Sequence, residues 1–131
     1  MSRAAGSART PALRPPAVLV GVACSLTFFG VATALMGLLY GLVSSITYSR
    51  WVYLTVHVLA LLVGGGWAGR QARALGWLHG ALVGIGYAAA AFWLLPHGDE
   101  VVLADLVRAL TLSLPVALLA GAVGRSTAPG P

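Results

Sequence analysis

Three ionisable side chains occupy positions where ionisation is costly. His57, Asp105 and Arg108 each fall within long apolar stretches of the chain, and charged or titratable groups inside a bilayer mark proton relays, ion paths or buried counter-ions. A histidine exchanges a proton near neutral pH, and an Asp and an Arg three residues apart can pair along one helix. The stretches carrying them run in the same direction, with His57 six residues past Trp51 and Asp105 and Arg108 four and seven past Val101, so all three reach a similar depth. One chemistry that fits is proton relay or binding of a small anion. The structural alternative is a satisfied ion pair near the interface, with His57 donating to a backbone carbonyl.

The segment carrying Asp105 and Arg108 is strained in other ways. Each charge costs about +2.5 to +3.5 kcal/mol at mid-helix, against about −0.3 to −0.6 for each Val or Leu around it. Their position in the outer third reduces that cost. Pro115 removes a backbone donor and frees the carbonyl of Thr111, a deficit that the hydroxyls of Thr111 and Ser113 are expected to offset around a kink.

Most other chemistry is absent from the sequence. Cys24 is the single cysteine, which excludes an intramolecular disulfide and a cysteine-cluster metal site. Its Gly-Val-Ala-Cys setting resembles a lipoprotein cleavage box, but Gly21 replaces the leucine-like residue and the apolar run continues far beyond it, so an uncleaved helix is expected. His57 and His79 lie more than ~10 Å apart in depth across a ~30 Å core, too far to share a haem iron. No nucleophile motif, phosphate loop, paired carboxylate or GxGxxG occurs. The expectation is a protein that is not an enzyme and holds no catalytic residue, cofactor or metal.

The elements that position these residues follow from composition. Of 131 residues 59% are apolar and 8% charged, where a soluble domain has about 25% charged. No charge lies between Arg14 and Arg50, Arg50 and Arg70, or Arg73 and Asp99, and about 17 to 25 apolar residues make a helical crossing. The reading is all-α, an integral membrane four-helix bundle. A basic tail, 1–15, without a periodic apolar face precedes crossings at about 16–43, 51–69, 76–95 and 101–124, followed by a short tail, 125–131.

The net charge of +5 comes from eight arginines spread along the chain, with no lysine. That spread fits membrane topology rather than nucleic-acid binding. With both termini cytoplasmic, Arg3, Arg9, Arg14, Arg70, Arg73 and Arg125 lie inside and only Arg50 outside, together with Asp99 and Glu100. The expected location is a bacterial cytoplasmic membrane.

Small residues mark the expected contact surfaces. In the first crossing Ala23, Thr27, Gly30, Ala34, Gly37 and Gly41 form a stripe spaced four, three, four, three, four, suited to close packing. In the second, His57, Leu61, Gly64 and Ala68 share a face; in the third, Gly76, Gly80 and Gly84 align with Tyr87 nearby. Gly64, Gly65, Ala68, Gly76, Gly80, Gly84 and Tyr87 are thus the candidate packing motif. Arg70, Arg73, Trp77 and His79 are candidate anchors at the inner interface, and Tyr48, Trp51 and Tyr53 an outer aromatic belt. The similarity of Gly37–Tyr40 to Gly84–Tyr87 does not extend on either side and is read as coincidence rather than a transporter's internal repeat.

Over Gly64, Gly65 and Ala68, then Gly76, Trp77, Leu78, His79 and Gly80, then Gly84 and Tyr87, the chain resembles a family of small four-pass bacterial membrane proteins of unknown function, the YrzE-like family. The resemblance implies four helices in a bacterial cytoplasmic membrane and no activity or ligand. The expected function is a non-catalytic packing or accessory subunit of a membrane assembly, in contact with lipid and with copies of itself or a larger membrane protein. The alternative is a small transporter or channel using His57, Asp105 and Arg108. Small multidrug exporters share the four-helix plan but need an acid in the first helix, which this chain lacks. A lipid-modifying enzyme is the weakest reading.

Overall fold

A computed structural model describes residues 13–43, 49–72, 74–94 and 103–128, with backbone alone at 103–106. Four helices account for nearly all of them: α1 Pro15–Leu42, α2 Arg50–Gln71, α3 Gly76–Leu94 and α4 Leu103–Ser126. Each has a stretch long and apolar enough to cross a membrane, with mean hydropathy of 2.2, 1.5, 1.4 and 1.7 in turn.

The helix ends follow local chemistry. Two prolines open α1, where a missing N–H is harmless. Ser49 caps α2, its Oγ accepting the Trp51 N–H at 3.3 Å. Helix α2 continues through Gln71, so Arg70 lies in its last turn rather than in a loop; a cation there suits the negative end of the helix dipole. The bend into α3 passes through Leu75 at φ 56°, a left-handed conformation that a leucine rarely adopts.

Helices α2 and α3 pack together, with α1 and α4 each contacting both; α1 and α4 do not touch among the described residues. A close seam joins α4 to the α2–α3 pair. A methyl group at Gly80 would meet the Ala117 carbonyl oxygen, and one at Gly121 would lie 2.8 Å from the Gly80 Cα. At Gly65 it would lie 2.9 Å from the Ala117 oxygen, and at Gly124 3.0 Å from the Gly66 Cα. Backbone meets backbone here, as small-residue helix interfaces allow. On the opposite side α1 lays Ala17, Gly21 and Ser25 against α2 and α3, with a Gly21 methyl falling 2.7 Å from Val83 Cγ2 and 2.8 Å from the Gly64 oxygen.

The stripe expected to pack α1 does not do so. Added methyls at Gly30, Gly37 and Gly41 would meet nothing within 4 Å, and Ala23, Thr27 and Ala34 are exposed. The packed face is instead the four-residue series Ala17, Gly21, Ser25, continued by Phe29. From residue 30 to 42 no α1 side chain is buried. Only 11% of the most apolar window of α1 is buried, against 39% for α2 and α3, which makes it the peripheral helix.

Pro115 lies inside α4. The Thr111 hydroxyl donates to the Val107 carbonyl at 2.7 Å and that of Ser113 to the Ala109 carbonyl at 2.6 Å. Both hydroxyls therefore serve the preceding turn, not the carbonyl that the proline frees.

Candidate functional site

His57 is built into the bundle by its place on α2. At helical periodicity it shares a face with Leu61, Gly64 and Ala68, all buried. Its Nδ1 is hydrogen-bonded to the Tyr87 hydroxyl of α3 at 3.1 Å. The two rings meet edge-on with centroids 5.0 Å apart. Phe29 of α1 stands edge-on to the His57 ring at 5.9 Å, to Tyr87 at 6.2 Å and to Tyr53 at 5.7 Å. One imidazole and three aromatic rings thus join three helices, in geometries that aromatic quadrupoles favour. Leu61 and Ala117 complete the core beside Tyr87.

Of the expected polar cluster, His57 bonds to Tyr87, Arg108 is exposed, and the side chain of Asp105 lies outside the described residues. Tyr53 is also turned inward, half-buried against Phe29 and His57, whereas Trp51 is well exposed and Tyr48 lies outside the described residues. No group of three or more metal-ligating side chains occurs among the described residues.

The candidate anchors separate in a similar way. Arg70 and Trp77 are exposed, and Arg73 lies outside the described residues. His79 is fully buried. The Arg14 N–H donates to its Nε2 at 3.0 Å, so Nδ1 carries the ring proton and donates to the Leu75 carbonyl at 2.9 Å. One imidazole therefore holds the N-cap of α1, the first turn of α3 and the strained residue before it.

Gly64, Gly65, Ala68, Gly76, Gly80, Gly84 and Tyr87 are all buried. Their partners on α4 went unrecognised in the sequence: Ser113, Ala117 and Gly121 recur every four residues and face Gly84, Gly80 and Gly76. That spacing is the signal that could have found them. Ser25 was missed as well. Its Oγ is buried without a hydrogen-bond partner, packed against the Gly64 backbone.

Four helices, each long and apolar enough to cross a membrane and joined by glycine seams, are what a small multi-pass membrane protein requires. A family model described as "Protein of unknown function (DUF3792)" matches residues 15–124. The chain belongs to that family, and the match spans all of α1, α2 and α3 and most of α4. No match was found among curated proteins or among solved structures.

Proposed function

We propose that the protein is a non-catalytic packing subunit of a membrane assembly, and that the uncovered part of α1 is its association face. One observation carries this reading. Residues 30–42 of α1 fully bury no side chain, only Ala32, Met36 and Tyr40 being half-buried, and the open glycines at 30, 37 and 41 lie on the face best suited to close helix approach. Phe29 meets Tyr53 edge-on, only three residues into α2, so roughly 15 Å of α1 extends past the start of its neighbour at 1.5 Å per residue. A shallow apolar groove of about 680 Å³ runs along the same helix beside Ala23, Cys24, Thr27 and Val31. A second copy of the chain, or a helix of a larger membrane partner, is the occupant.

The bilayer is read as a bacterial cytoplasmic membrane with both termini inside, from the arginine distribution, and the family as the YrzE-like one, from the hairpin residues. Gly37→Leu tests the association: the variant keeps its helix content and thermal stability but loses its neighbour in crosslinking. Retention of that neighbour contradicts the proposal.

A second reading rests on the buried His57–Tyr87 pair, which could pass a proton between helices. Its test is flux across vesicles containing the purified chain. Flux that His57→Ala abolishes supports transport; flux equally present in the variant removes the pair from the mechanism.

A further inference from the structure

We infer that the groove between α2 and α4 is a binding site for an anionic phospholipid, its acyl chain in the groove and its phosphate on Arg70. The inference rests on the membrane reading above but not on the association face. The groove has a volume of about 440 Å³, is lined from α2, α4 and Thr127 just beyond it, and is separate from the groove along α1, with which it shares only Val63. Its floor is backbone, because Gly66 and Gly124 bring the helices together: a methyl at Gly124 would lie 3.0 Å from the Gly66 Cα. Leu119 and Val123 of α4 and Trp67 of α2 form walls, each at least half exposed. A slot floored by glycine and walled by large apolar side chains fits a methylene chain.

Charge at one end selects the headgroup. Arg70 lines the groove from the last turn of α2, is exposed, and has no hydrogen bond or ion pair among the described residues. Thr127, at the same end, spends its hydroxyl proton on the Gly124 carbonyl at 3.1 Å, which leaves the guanidinium as the donor. Arginine meets phosphate through paired N–H donors, and basic pockets between helices at one face of a membrane hold anionic headgroups. Trp67, one turn before Arg70, is the indole that a bound lipid would cover.

Trp67 also provides the probe. The full chain, with Trp51, Trp77 and Trp93 replaced by Phe, is placed in vesicles of phosphatidylcholine containing a minor share of phosphatidylglycerol, with brominated acyl chains on one lipid or the other. At equal mole fraction of brominated lipid, brominated phosphatidylglycerol should quench Trp67 about twofold more than brominated phosphatidylcholine, the enrichment expected of a headgroup-selective site. Arg70→Gln should abolish the difference, and Arg125→Gln, whose side chain packs at Gly76 on the other side of α4, should preserve it. Inorganic phosphate should not compete, because it lacks the chain.

Equal quenching by the two lipids overturns the site, as does competition by phosphate or an equal loss in Arg125→Gln, which would reflect surface potential alone. Quenching by neither lipid means the groove is covered by protein and also overturns it. Resistance to alkaline extraction, measured on the same vesicles, reports the membrane reading separately. Native mass spectrometry of the unsubstituted chain checks the same preference without the tryptophan replacements.

Discussion

The Tyr87 hydroxyl and the His57 imidazole are hydrogen-bonded across the α2–α3 contact, 3.1 Å apart and thirty residues apart in sequence. Around them the Phe29 and Tyr53 rings pack on the pair. Side-chain hydrogen bonds inside membrane proteins contribute about 0.6 kcal/mol on average and up to about 1.7. Tyr87→Phe, which keeps the ring, should destabilise the bundle by about 1 kcal/mol in equilibrium unfolding from mixed micelles. A double-mutant cycle with His57→Leu should recover a coupling of the same sign, whereas zero coupling would show that the bond contributes nothing.

His79 predicts a local effect as well as a global one. Removing its ring leaves a cavity, the Arg14 N–H loses its partner, and the Leu75 carbonyl keeps only the backbone N–H groups of Leu78 and His79. His79→Ala should cost about 2 kcal/mol. His79→Gln, which still offers an acceptor to Arg14, should recover part of that loss. Hydrogen exchange in the first turn of α1 should rise in the alanine variant and fall back in the glutamine one.

The glycines separate into two classes that one substitution distinguishes. At Gly80 a methyl meets the backbone of α4, so Gly80→Ala should destabilise by about 2 kcal/mol or more through displacement of α4. At Gly30 the methyl meets nothing, and alanine is the better helix former by about 1 kcal/mol. Gly30→Ala should therefore be neutral or stabilising in the same unfolding assay.

That contrast shows what the sequence could and could not disclose. The α2 and α3 motif is legible because its small residues recur at helical spacing, although the sequence does not tell that Gly64 meets α1 while Gly65 meets α4. On α1 the small residues mark a smooth face, but smoothness does not say whether a neighbour covers it. The packed series Ala17, Gly21, Ser25 is shorter and mixed in chemistry, and so less conspicuous than the longer stripe. On α4 the costly Asp105, Arg108 and Pro115 drew attention from Ser113, Ala117 and Gly121. The inward face of His57 follows from periodicity, but its bond to Tyr87 does not, since that requires knowing which helices lie side by side. The position of His79 near arginines points to an interfacial anchor; its burial depends on how α1 enters the bundle, which spacing within α3 does not encode.

The association face of α1 is tested most directly by photocrosslinking in cells from two exposed leucines, Leu38 on α1 and Leu119 on α4. The account predicts a discrete protein adduct from Leu38, either a dimer of this chain or one reproducible neighbour, lost in Gly37→Leu, with no protein adduct from Leu119. Lipid-only products from Leu38 would contradict it.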